Sequence, residues 1–332
     1  MLTFSLTIFS LLIIYLINKY KIKISKKTKL LDRPDKFRKL HKKPTPLLGG
    51  LMAFSAFLLI NLYLIFLNDL NKTSLIIFAS CLSCLILGLI DDVKKVSYKY
   101  KFLILITIFY LFTSLDPNLR ISKIYFATFN ENFYLDCLSI PFTILCLLLL
   151  MNSINLIDGI DGLCILISII FIVWLINTFQ NIEPLYVVII MSLIYILYLN
   201  LKKNIFLGDS GSLFLGCLIG LNIILNYNIE ISKINFPVEN IFIALMLPGL
   251  DMLRVFAIRI INKKNPFLPD RTHLHHLLLN QNIRLSKILI IYFILITTPI
   301  AINQFSNNSQ ISIILTSILI YSIFFVCLKK KF

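Results

Sequence analysis

The chain has 332 residues, 58% of them hydrophobic and only 14% charged, and its mean hydropathy is +0.88. This balance excludes a soluble globular domain and places the chain among integral membrane proteins. The net charge of +16 does not argue for nucleic acid, because the basic residues fall in short loops beside apolar segments, where they set topology and meet anionic headgroups.

A bilayer-crossing helix needs roughly 20 mostly apolar residues, since every backbone amide must be paired inside the hydrocarbon. Segments of this kind lie at about residues 2–18, 47–67, 73–90, 102–115, 137–157, 163–179, 184–200, 211–228, 237–260, 287–303 and 310–328. Their long uninterrupted runs exclude a barrel, so the expectation is an all-α integral membrane protein with about 11 transmembrane helices forming one polytopic domain over residues 1–332. The first segment has its basic stretch after it and no small-residue cleavage site, which reads as a retained helix and not a signal peptide.

Lys and Arg alternate between the two sides. Residues 19–43, Lys94, Lys95, Lys99, Lys101, Lys202, Lys203, Arg259, Lys263, Lys264, Arg271, Arg284, Lys287 and the tail from Lys329 to Lys331 fall on one side, against Lys72, Arg120, Lys123 and Lys233 on the other. The bias predicts an N-terminus outside and a cytoplasmic C-terminus. Seven cysteines lie in or at the ends of apolar segments, which argues against a disulfide framework. The Cys81 and Cys84 pair reads as helix packing.

Five polar stretches, all on the basic side, interrupt this pattern. In RKLHKKPTPLLGG, Pro44 and Pro46 stiffen a turn, and Gly49 and Gly50 remove side chains at the membrane surface. In GLIDDVKK, Asp91 and Asp92 meet the negative end of a helix dipole, which disfavours them by a few tenths of a kcal/mol each. Either a divalent cation or a retained proton compensates them, or they are solvated and paired with Lys94 and Lys95.

In NSINLIDGIDGL, Asn152, Asn155 and Asp158 are three apart and form one polar stripe, which Asp161 continues. An intramembrane carboxylate costs about 3 kcal/mol, which marks the stripe as functional. In IFLGDSGSLFLG, the amides around Asp209 suit a phosphate and its carboxylate a hard cation, unless Asp209 or Ser210 simply caps the helix. The stretch lacks the Lys and spacing of a phosphate-binding nucleotide loop.

The last stretch, RVFAIRIINKKNPFLPDRTHLHHLLL, follows Asp251 and holds three of the four histidines. On a regular helix His273 and His276 share a face, while His275 points about 160° and 100° from them. A zinc ion needs a further N or S donor, and the remaining histidine is His41 while the cysteines are membrane-embedded. Imidazoles beside Arg259 and Arg271 suit an anionic, phosphorylated ligand better.

Together and in this order, the five stretches resemble the polyprenyl-phosphate N-acetylhexosamine-1-phosphate transferase family over roughly residues 33–279. The resemblance implies transfer of an N-acetylhexosamine-1-phosphate from a UDP-sugar to undecaprenyl phosphate at the cytoplasmic face of a bacterial inner membrane, with Mg2+, or Mn2+ in its place, as cofactor. It implies catalytic Asp91, Asp92, Asp158 and Asp161, with Asp91 deprotonating or orienting the lipid phosphate. It gives Asp209 as metal ligand, Asn155 in both metal and nucleotide binding, and Arg259, His273, His275 and His276 on the donor diphosphate and sugar. Lys101 and His41 join the substrate-binding set.

The HLHH pattern resembles the branch that primes O-antigen, common antigen or teichoic acid, with UDP-GlcNAc or a related acetamido sugar as donor. A phospho-muramoyl-pentapeptide transferase is the alternative within the family, and a secondary transporter the alternative outside it. The transporter requires midplane polar residues and repeat symmetry, whereas these clusters end segments and do not repeat. Asn200 lies closer to Asp209 than in some relatives, which leaves its assignment to uracil or metal open, and a homodimer is left open as well.

Overall fold

The computed structural model describes residues 2–34, 44–179, 185–234, 236–265, 271–305 and 309–329. Its helices are α1 (Leu2–Lys19), α2 (Lys21–Thr28), α3 (Gly49–Phe66), α4 (Lys72–Lys94), α5 (Tyr98–Leu115), α6 (Ser139–Ile157), α7 (Leu163–Thr178), α8 (Tyr186–Leu201), α9 (Gly208–Ile234), α10 (Val238–Ile261), α11 (Leu274–Asn280), α12 (Leu285–Phe305) and α13 (Gln310–Lys329). Each apolar segment expected from the sequence is helical over most of its described residues. Among the described residues, 8 helices are long and apolar enough to cross a membrane. The remaining three of the eleven expected spans are less regular. Helix α1 meets α2 at a 71° bend and passes only together with it, and α7 and α8 are shorter apolar helices. At 16 residues each, these two reach about 24 Å, short of a hydrocarbon core of about 30 Å.

The protein is not purely helical. β1 (Leu31–Asp32) pairs antiparallel with β2 (Thr45–Pro46), and β3 (Lys123–Phe126) with β4 (Glu131–Tyr134). Both lie in loops, where alternating residues pair backbone that no helix satisfies. The buried Glu239 carboxylate holds the β3–β4 turn by accepting from the amides of Ala127 and Thr128 at 3.2 and 3.1 Å.

Helix α9 is the axis of the bundle: 83% of its membrane-length window is buried, against 11% for α13. Lipid supplies no hydrophobic drive between helices, so contact depends on close fit through small residues. A Cβ on Gly88 would sit 2.3 Å from the Ser210 backbone, and one on Gly50 would sit 2.4 Å from the Gly211 amide. Helices α3 and α4 therefore grip the first turn of α9 backbone to backbone. Deeper in, Phe214 of α9 packs against Phe54 and Phe57 at 5.4 and 5.7 Å.

The strand segment of the Pro-Gly stretch anchors the same turn. Phe206 donates its amide to Pro46 O at 2.8 Å, and Gly49 and Gly50 donate to Phe206 O and Leu207 O at 3.0 Å each. The stretch that in the sequence reads as a stiff turn is thus the support for the Asp209 loop. Gly88→Val should force α4 off α9 and cost about 1–3 kcal/mol or more of stability, read as a lower unfolding temperature in detergent.

Candidate active site

Asp91 and Asp92 lie in the last turn of α4, buried to 5% and 8% exposure. Their partners are not Lys94 and Lys95, which are exposed. Asp92 turns to the start of α9, accepting from the amides of Asp209 and Ser210 at 2.9 and 3.1 Å. It supplies from another helix the cap that the sequence suggested for Asp209 or Ser210, and it meets the positive end of the α9 dipole. Gly208 has φ +77°, and a Cβ there would lie 2.7 Å from Asp92 Oδ2. Glycine is needed at this position for both the backbone conformation and the space.

Asp91 accepts from the Val96 amide at 2.6 Å through Oδ1 and from Lys101 Nζ at 2.8 Å through Oδ2. The same ammonium lies 3.2 Å from Asp209 Oδ2, so Lys101 bridges the carboxylates of α4 and α9. On the other oxygen of Asp209, Asn155 Nδ2 donates at 2.9 Å while also reaching Ser212 Oγ at 2.8 Å. The stripe expected on α6 divides here, because Asn152 turns instead to Met252 Sδ of α10.

Asp158 ends α6 and Asp161 follows in the turn. Asp158 keeps some solvent contact, yet protein crowds its carboxyl. That burial, then the charges of Asp209, Asp92 and Asp161, pushes it well above the usual carboxylate range. Asp209, Asp92 and Asp161 thus all lie within electrostatic reach of Asp158. Asn200 holds the loop in place: its Oδ1 accepts from the Gly162 amide, and its Nδ2 donates to Ile205 O at 2.9 Å. Buried at 4% exposure, Asn200 spends its side chain on two backbone segments.

The histidines do not follow the helical spacing expected of them. His273 is the N-cap of α11 with extended backbone, so its ring stacks on His275 at 5.8 Å and 7°. His276 lies 4.2 Å from His275, tilted by 48°. His275 is therefore the middle ring, fully buried, and neither ring nitrogen has a hydrogen-bond partner among the described residues. A Cβ on Gly159 would come within 2.4 Å of His275 Nε2 and 3.1 Å of His276 Nε2. The glycine of the DGID turn is what lets the histidine loop dock on the carboxylate cluster.

Two residues with no role assigned from the sequence shape this wall. Asp251 Oδ2 lies 2.9 Å from His273 Nδ1, and Asp251 Oδ1 accepts from the Leu274 amide at 3.1 Å, capping α11. Arg254 pairs with Asp251 at 2.8 Å. The i, i+3 spacing of Asp251 and Arg254 in an apolar run was the available signal. Arg259, expected beside the histidines, donates Nε to Asn265 O at 2.7 Å in the turn after α10. His41 lies outside the described residues.

A hard divalent cation fits the donors present. Among the described residues no group of three or more His, Cys, Asp or Glu side chains has metal-ligand spacing. Magnesium, however, is commonly held by one or two carboxylates, with water and substrate phosphate completing its shell. Asp91 and Asp209 offer such oxygens on either side of Lys101 Nζ. Asn155 faces Asp209 with its amide nitrogen, so in this arrangement it orients that carboxylate.

Clustered carboxylates, a bridging ammonium, a capped helix start and three histidines thus meet in an apolar helical bundle. The sequence profile of Glycosyl transferase family 4 matches residues 74–227. The chain is 32% identical over 301 residues to a probable undecaprenyl-phosphate N-acetylglucosaminyl 1-phosphate transferase of Bacillus subtilis (strain 168), covering 86% of this chain and 80% of that protein. It is also 34% identical over 96 residues to an undecaprenyl-phosphate alpha-N-acetylglucosaminyl 1-phosphate transferase of Haemophilus influenzae, covering 27% of this chain and 26% of that one. The chain belongs to glycosyl transferase family 4.

Burial, then the charges of His276 and His273, holds His275 well below the usual imidazole range, against the opposing pull of Asp251. The unfolded ring takes a proton below about pH 6.5 and the folded ring does not. Stability should therefore fall as pH drops through that value, by up to about 1.4 kcal/mol per pH unit. Unfolding temperatures in detergent between about pH 5 and 8 should show the slope, and His275→Gln should flatten it.

Proposed function

We propose that the protein transfers N-acetylglucosamine 1-phosphate from UDP-N-acetylglucosamine to undecaprenyl phosphate, giving the lipid diphosphate sugar and UMP. The observation that carries this reading is the bridge of Lys101 between Asp91 and Asp209 beside the capped start of α9. Two polyanions can be brought together there only against strong mutual repulsion, and the site already holds anionic groups at close range around a shared cation.

In the reaction, an oxygen of the lipid phosphate forms a bond to the phosphorus that carries the sugar. The bond from that phosphorus to the bridging oxygen breaks, and the electron pair leaves with UMP. Phosphoryl transfer asks for alignment and charge compensation more than covalent chemistry from the protein. Asp91, held from two sides, orients the acceptor phosphate. Asp158, at the end of α6 beside the Asp209 carboxylate, faces the donor from the same cluster. The histidines and Arg259 receive the donor diphosphate and sugar. Magnesium held by Asp209 and Asp91 would offset diphosphate charge when bound.

An apolar cavity of about 320 Å³ between α6, α9 and α10 supports the lipid side of the reading. Phe142, Leu149, Ile223, Phe242 and Leu253 line it, and Ser153 and Met252 bring it alongside Asn152. The excess of Lys and Arg in the loops that carry the motif stretches supports a cytoplasmic face of a bacterial inner membrane for the reaction.

Purified protein in detergent, supplied with undecaprenyl phosphate and magnesium, should release UMP from UDP-N-acetylglucosamine ahead of other UDP-acetamido sugars. No release from any donor in such a panel would overturn the reading. Asp209→Asn and chelation should each abolish turnover. Arg259→Ala should raise KM for the donor more than for the lipid, and equal effects on both would remove Arg259 from the donor site.

A further inference from the structure

The family profile ends at residue 227 and the motif stretches end by residue 279, yet α13 reaches back to the histidine loop. The Tyr321 hydroxyl donates to Asp251 Oδ1 at 3.0 Å and accepts from Arg254 Nε at 2.8 Å. Four residues on, the Phe325 ring lies under the Arg254 guanidinium at 4.2 Å. Arg254 Nη2 reaches Thr272 O at 2.6 Å, next to His273. Asp251 and Tyr321 are 3% and 7% exposed, so these groups meet away from water.

We infer that α13 positions the donor-binding histidine loop, with Tyr321 and Asp251 as positioning residues that act through His273. Helices α10 and α13 need no charges to pack, because apolar side chains of similar size hold such an interface as well. What does need Asp251 is the pair it serves at its far end, His273 Nδ1 and the Leu274 amide. A carboxylate on Nδ1 fixes the ring plane and leaves Nε2 as the nitrogen available to a ligand. Tyr321 and Arg254 fix the carboxylate in turn, and Phe325 seats Arg254. The chain of contacts runs from α13 through α10 to the ring stack of His273 on His275.

The inference rests on the donor assignment of the histidine loop, and two readouts keep the two apart. Tyr321→Phe keeps the ring and removes only the bridging oxygen. In the full-length protein it should raise KM for UDP-N-acetylglucosamine about tenfold, the order expected for one lost hydrogen bond to charged groups, with KM for undecaprenyl phosphate unchanged. Independently of turnover, carbethoxylation of His273 by diethyl pyrocarbonate, followed by mass spectrometry, should be faster in Tyr321→Phe and Asp251→Asn than in the wild type. If His273 is labelled at the wild-type rate in both variants, the positioning role is overturned, whatever the activity. If labelling rises while both KM values change alike, control of the donor by α13 is overturned. If the wild type uses no UDP-sugar but labelling still rises in the variants, the donor reading fails and the positioning of His273 stands.

Discussion

The first amides of α9 emerge inside a packed bundle, where unpaired backbone donors are costly. Asp92 answers them from the end of α4, and most of the site's geometry depends on that bond pair. With the start of α9 fixed on Asp92, Asp209 projects beside Asp91, and one ammonium from α5 reaches both. The arrangement also accounts for two adjacent carboxylates at the wrong end of a helix dipole. One is offset by the opposite dipole of α9, the other by Lys101.

The same device recurs on the other wall. Asp251 of α10 caps α11 as Asp92 caps α9, and in each case the capped helix begins inside a motif. Long helices thus supply carboxylates that hold the starts of functional segments. Asn200 does comparable work for the loops after α6 and α8, joining them through one amide.

The long apolar segments were legible in the sequence because the bilayer permits few alternatives. The polar residues were legible because lipid makes them costly, which singled out Asp91, Asp92, Asn155, Asp158 and Asp209. What one sequence does not carry is pairing across distance. Tyr321 looks like any aromatic in a membrane helix, and its partners lie 67 and 70 residues away. Lys94 and Lys95 were the near partners for the acidic pair, but α4 continues to Lys94 and turns them outward, and Lys101 returns from the next helix. The histidines defeated helical spacing because the helix begins after His273, a boundary set by Asp251. The short strands were missed since each covers only two to four residues of loop.

Where Gly88 of α4 meets Ser210 of α9, no side chain stands between the two backbones. That contact has no rotamer to rearrange, so it fixes the start of α9 on α4 more tightly than a side-chain interface would. The histidine side hangs instead on a relay of side chains, each with torsions of its own, from α13 to His273. Freedom to adjust therefore lies more with the histidine wall than with the Gly88 contact.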